Sequence, residues 1–153
     1  MRWIPVFCWM TVIFAASTDA LSAQHTGWFL IPILLHFFPH MSVQAIDWIH
    51  FFIRKGAHLA EYSILGILLW RAIPEHKTAP EVADWWRAGV AVLVATFYAA
   101  TDEYHQSFVP SRGSSVHDVL IDACGAAITV ICLSLANRQR LHRNPTATPP
   151  AAA

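Results

Sequence analysis

Charge is scarce in this chain. Asp, Glu, Lys and Arg make up only 13% of its 153 residues, against about 25% in soluble domains. The apolar share is 56% and the mean hydropathy +0.42. These values exclude an ordinary soluble globular domain. They also exclude disorder, which needs low hydrophobicity and high net charge. Acidic and basic residues number ten each, so neither sign dominates. A nucleic-acid binder would carry a basic stripe; only a short tail is basic here, and no nucleic-acid partner is expected. Cysteine is sparse as well. Cys8, Cys124 and Cys132 are odd in number and lie in apolar stretches, which argues against a disulfide framework or a zinc finger. They read as small packing residues. No internal repeat is present.

What the chain has is apolar runs. At about 20 apolar residues per membrane helix, its length accommodates roughly four spans with short loops, leaving no room for a separate soluble enzyme domain. Charge-free runs at 3–18, 62–70, 88–101 and 123–137 place helices at about 3–18, 55–73, 87–106 and 117–137. Arg71, Arg87 and Arg138 bound the last three runs. Pro74 ends the second helix, because proline removes a donor and clashes with the preceding turn. The stretch 20–46 is also free of charge, but its apolar centre at 28–38 is short and contains Pro32 and His36. A run of that length reads as a re-entrant or interfacial segment. The piece VQAIDWIHFFI reads as a second interfacial helix leading into Arg54. The expected fold is therefore all-α: a polytopic membrane domain over 1–143 with four transmembrane helices and an interfacial or re-entrant segment between the first and second. The Pro/Ala tail at 144–153 has nothing to bury and reads as disordered. The first run also has the outline of a signal peptide, with Arg2, an apolar core and Thr18-Asp19-Ala20 as an imperfect cleavage site.

Lys and Arg set the orientation. Arg2, Arg71, Lys77, Arg87, Arg138, Arg140 and Arg143 fall on one side of a four-span arrangement, and Arg54, Lys55 and Arg112 on the other. The positive-inside rule puts both termini in the cytoplasm. Trp3, Trp48, Trp70, Trp85 and Trp86 lie near span ends, as in an aromatic belt.

Three acids have nowhere to go but the membrane. At 1.5 Å per residue, Glu61 lies roughly 15 Å from the level of Arg71, Asp102 roughly 22 Å from Arg87, and Asp122 roughly 24 Å from Arg138. A charge at the bilayer centre costs at least about 2.5–3.5 kcal/mol, so such residues face the bundle interior, pair with one another and mark function. Arg54, His58 and Glu61 share one helical face. Asp118, Asp122, Gly125 and Thr129 share another, whose small residues allow close helix approach. His105 and Gln106 follow Asp102 by three and four residues, while Glu103 points elsewhere. In the loop SFVPSRGSSVHD, Pro110 and Gly113 mark a turn, and Ser115 with Asp118 forms a capping-box pattern. Arg112 is suited either to bidentate binding of an anion or to neutralising Asp102 or Asp118. Most histidines outside the cluster read as surface residues, with His117 nearest to it.

The outer-leaflet cluster thus holds Lys55, His58, Glu61, Tyr62, Asp102, Glu103, His105, Gln106, Arg112, Asp118 and Asp122, with Arg54, Lys55 and Arg112 as its anion-binding cations. It fits a site for an envelope lipid or glycan precursor. Two alternatives stand beside that reading. A metal-assisted hydrolase or transferase would converge His58, Glu61 and Asp102 on one ion, since His and carboxylate ligands suit zinc or manganese; no HExxH spacing supports it, and no metal or cofactor is assigned. A structural network would pair each carboxylate and leave no cavity. A proton or ion path lacks the repeats and broken helices of transporters.

The same residues carry a family resemblance. KGAHLAEYSILGILL (55–69) and TDEYHQSFVPSRGSSVHDVLIDACGA (101–126) resemble the VanZ-like family of bacterial membrane proteins. The family pattern falls on Lys55, His58, Glu61 and Tyr62, then Asp102, Glu103 and Gln106, then Phe108, Pro110 and Arg112, then Asp118 and Gly125. Many members carry Asn where this chain has Asp122, and the usual glycine pair of the last helix becomes Gly125 and Thr129. The resemblance implies a small multi-pass inner-membrane protein. The namesake is associated with low-level teicoplanin resistance, so a role in glycopeptide resistance at the outer face of the cytoplasmic membrane is implied. Membrane lipids, a lipid head group or a cell-wall precursor are the partners this implies. No catalytic residue is assigned.

Overall fold

A computed structural model describes residues 1–18, 23–74, 80–110 and 112–143. The expected tail at 144–153, Lys77 and the Asp19–Ala20 junction lie outside the described residues. All regular structure among those described is α-helical: α1 (Ile4–Ala16), α2 (Ala23–Phe37), α3 (Val43–Ala72), α4 (Pro80–Gln106) and α5 (Val116–Arg143).

The boundaries follow local chemistry. Pro5 occupies the first turn of α1, where a missing N–H costs nothing. Ser42 caps α3 by accepting a hydrogen bond from the Ala45 amide at 3.2 Å. Ile73, which precedes Pro74, is extended at φ −68°, ψ 127°, as a residue before proline prefers, and α3 stops there. No Pro interrupts the segment between these two signals. The expected interfacial helix over VQAIDWIHFFI and the expected span at 55–73 are therefore one helix of 30 residues, roughly 45 Å long. The stretch expected to be interfacial or re-entrant contributes α2, which runs through Pro32 and packs mainly on α3.

Helices α3, α4 and α5 form the centre, with α1 laid against α3. Small residues let them approach. On α4 the buried stripe Ala88, Ala91, Ala95 and Ala99 has helical spacing and continues into Asp102 and Gln106. Where α3 crosses α5, a Cβ on Gly125 would stand 2.7 Å from the Leu59 carbonyl oxygen, so only glycine fits without a shift. Two turns further along α3, Gly66 lies on the backbone of Ala126. Thr129, expected to share this close-packing role, donates its hydroxyl to the Gly125 carbonyl at 2.9 Å. Ser63 donates to the same carbonyl at 3.1 Å.

Polarity is inverted relative to a soluble fold. Asp118, Asp122 and Ser134 of α5 are buried, while Leu120 and Ile128 are about three-fifths exposed (58% and 61%). Phe97 of α4 is 72% exposed, and Asp84 and Asp102 on the same helix are buried. Cys8, Cys124 and Cys132 are exposed; they lie on this apolar exterior rather than packing the core as their sequence context suggests. Only one described helix, over Val116–Arg140, is long and apolar enough to cross a membrane by length and composition. α3 and α4 have the length, but their inward charges interrupt the apolar window. α1 has 13 residues, roughly 20 Å, which is less than a hydrocarbon core of about 30 Å.

A candidate functional site between the polar helix ends

The alanine and glycine layer separates two polar poles. At one pole, Asn137 Nδ2 donates to Asp84 Oδ2 at 2.7 Å and Arg87 lies 3.3 Å from Asp84 Oδ1. Arg87 also donates to the Trp70 carbonyl at 2.8 Å and stacks over the Trp70 ring at 4.3 Å. This ties α3, α4 and α5 together. From the sequence Arg87 is expected only as a span boundary, and Asp84 carries no expectation. Its signal was phase: Asp84 sits one turn before the alanine stripe.

The other pole contains most of the expected cluster. Lys55 pairs with Asp118 Oδ1, and Arg54 lies 3.9 Å from Asp118 Oδ2. Asp102 Oδ2 accepts from Ser17 Oγ at 2.7 Å and from Gln106 Nε2 at 2.9 Å. Asp122 has no exposed surface and lies 3.5 Å from His58 Nδ1. Tyr62 is fully buried beneath them, with its ring 6.3 Å from that of Tyr98.

Glu103 departs from the expectation. It does not point away but is buried at 4% exposure. Its Oε2 accepts from the Ser115 amide at 2.8 Å. Ser115 Oγ in turn accepts from the His117 amide at 3.2 Å, so Ser115 caps α5. In a capping box the third helical residue returns the bond to the cap. Here Glu103 of α4 takes that part, which releases Asp118 to pair with Lys55.

Two more expectations change. His105 stands outside the cluster, its ring 4.7 Å from Phe14 of α1, and His117 is exposed. The ligand atoms that converge belong not to His58, Glu61 and Asp102 but to His58, Glu103 and Asp122, all within 4.8 Å of one another. Asp102 is drawn instead to Ser17 and Gln106, and Glu61 faces a cavity.

That cavity measures about 270 Å³ and is lined by Ser17, His50, Arg54, His58, Glu61 and Arg112, among others. Arg112 also reaches the Ala16 carbonyl at 2.5 Å. Two of these residues are not expected there: His50 reads from the sequence as a surface histidine, and Ser17 carries no expectation. His50 precedes Arg54 by one turn, and the signal would have been visible had α3 been extended upstream of Lys55. Ser17 had none: it is a small polar residue ending an apolar run, and only the packing of α1 brings it to Asp102. α1 is joined to the centre further by Trp9 Nε1 donating to the Glu61 carbonyl at 2.9 Å and Tyr98 donating to the Met10 carbonyl at 2.7 Å.

In this pole five carboxylates (Glu61, Asp102, Glu103, Asp118 and Asp122) meet three fixed cations (Arg54, Lys55 and Arg112). An all-helical bundle with charges gathered inside and hydrocarbon outside defines the class. The VanZ/LLP1 family model matches residues 2–137, and the chain belongs to that family. No curated protein and no solved structure matches it.

Proposed function

We propose that this chain is a multi-pass protein of the bacterial cytoplasmic membrane and that its polar cavity binds an anionic envelope component, a lipid head group or lipid-linked cell-wall precursor. In this reading α1, α3, α4 and α5 cross the bilayer, the short α1 by local thinning of the membrane, α2 is the interfacial or re-entrant segment, and both termini are cytoplasmic. The inverted polarity supports the membrane setting, since charges within a bilayer face the bundle interior. Exposed Trp3, Trp48, Trp85 and Trp86 suit an aromatic belt.

The observation that carries the binding reading is the cavity. Arg54 and Arg112 both line it, and a guanidinium is the side chain best matched to phosphate or carboxylate oxygens. A network that only locks helices together would leave no such space and would pair every acid. Among the described residues, Asp122 Oδ1 and Glu103 Oε1 lack a hydrogen-bond partner. Binding rather than catalysis is the function we assign, and its envelope consequence is reduced teicoplanin sensitivity.

The test is teicoplanin sensitivity of a susceptible host expressing wild type, Glu61→Gln or Arg112→Ala at matched membrane levels. We expect wild type to protect and both variants to fail. A wild type without effect, or variants that protect equally, removes the resistance reading.

A further inference from the structure

The carboxylates at the base of the polar pole are too many for the cations that face them. Asp118 is answered by Lys55 and Arg54, and Asp102 accepts two hydrogen bonds at Oδ2, from Ser17 and Gln106, while its Oδ1 has no partner among the described residues. Asp122 and Glu103 are not answered in this way. Asp122 is fully buried, and among the described residues Oδ1 has no hydrogen-bond partner and His58, at 3.5 Å, is its one ionic neighbour. Glu103 spends Oε2 on the Ser115 amide and leaves Oε1 buried without a partner among the described residues. His58 is 5% exposed and turns Nδ1 toward the same point. Each of α3, α4 and α5 supplies one of the three.

Buried charges are paired or coordinate metals, because an uncompensated charge in an apolar interior is costly. Among the described residues of the pole, carboxylates exceed fixed cations by two, the charge of one divalent ion. We infer that His58, Glu103 and Asp122 form a site for a divalent transition-metal ion held between α3, α4 and α5.

The donor set defines the class of ion. One borderline imidazole and two hard carboxylates suit zinc or manganese more than calcium, which takes six to eight oxygens. Ligand atoms within 4.8 Å of one another need a modest side-chain adjustment to meet an ion at about 2.0–2.2 Å. Glu103 can bind the ion through Oε1 while Oε2 stays on the α5 cap, an outer contact of the sort that fixes metal ligands. Three protein ligands leave a position open. His58 also lines the cavity, so that position adjoins the space where we place the anion. The metal site does not depend on that placement: its evidence is the three converging side chains.

The full chain, purified in detergent and stripped with a chelator, is titrated calorimetrically with Zn²⁺ and separately with Mn²⁺. Protein purified without chelator is assayed for bound metal. We expect one ion per chain for at least one of the two metals. Asp122→Asn and Glu103→Gln should each weaken binding by at least about tenfold, the cost of losing even an outer contact at a metal site. Asn137→Ala, which lies at the opposite pole and removes no ligand, should retain the affinity. X-ray absorption of the loaded wild type reads the donor set directly, even where a variant does not fold. One imidazole with oxygen ligands is expected. A sulfur shell, several imidazoles, no stoichiometric binding, or equal binding by wild type and both folded variants overturns the site.

Discussion

Glu103 of α4 accepts the amide hydrogen of Ser115 at 2.8 Å and so closes the cap of α5 from a neighbouring helix. One side chain thereby fixes where α5 begins and the register of Asp118 and Asp122 relative to α3. Glu103→Ala leaves the Ser115 amide without its acceptor, at a cost of about 1–3 kcal/mol. Glu103→Gln keeps a carbonyl oxygen at that place and should lose less in the metal-free protein. Thermal unfolding in detergent, with hydrogen exchange of the first α5 amides, checks this. Equal stability of wild type and Glu103→Ala would show that the cap is closed by other means.

Gly125 and Gly56 are both helical, and alanine should move them in opposite directions. A Cβ at Gly125 meets the Leu59 carbonyl oxygen at 2.7 Å, whereas one at Gly56 meets nothing within 4 Å. Overpacking of a tight contact costs about 1–3 kcal/mol, and α3 and α5 must move apart to relieve it. Alanine in an open helical position gains about 0.5–1 kcal/mol over glycine. Gly125→Ala should therefore lower the melting temperature and Gly56→Ala leave it unchanged or raise it. A melting-temperature series on the two variants decides the matter.

The sequence was most legible where chemistry was local. Pro74 stops α3, Ser115 starts α5, and the helical phase of Arg54, His58 and Glu61 sets one wall of the cavity. It was least legible where a contact spans the chain. Ser17 and Asp102 are 85 residues apart, and nothing in an apolar run ending in serine announces that bond. Glu103 was misread because helical phase separates it from Asp102. A three-helix junction has two inward faces on α4, and a single-face rule sees one. The same limitation hid the convergence of His58, Glu103 and Asp122, which come from three different helices.

Asp84 should matter as much to stability as the acids of the other pole. It is fully buried and takes Asn137 at 2.7 Å and Arg87 at 3.3 Å. Asp84→Ala removes the carboxylate from a buried guanidinium, a change that costs about 3–5 kcal/mol at buried pairs. Asn137→Ala removes one hydrogen bond to a charged group, about 1.5–3 kcal/mol. Chemical unfolding in detergent should rank wild type above Asn137→Ala and Asn137→Ala above Asp84→Ala. The reverse order would mean that Asn137 holds the pole and Asp84 does not.

Orientation can be read from two engineered cysteines. Gly113 lies in the α4–α5 connection, on the side where Arg54 and Lys55 also sit, and its carbonyl is 3.4 Å from Arg54 Nη2. Arg143 ends α5 at the opposite pole. In our four-span reading the first faces outward and the second faces the cytoplasm. In a background with Cys8, Cys124 and Cys132 replaced by alanine, a membrane-impermeant maleimide should label Gly113→Cys in intact spheroplasts. Arg143→Cys should label only after the membrane is opened. Labelling of Arg143→Cys alone in intact spheroplasts would invert the topology. The cavity would then face the cytoplasm, and an extracytoplasmic envelope component would no longer be its ligand. Labelling of both would break the odd number of crossings that separates the two positions, since α5 alone stands between them and is, among the described residues, the one helix with the length and hydropathy to span.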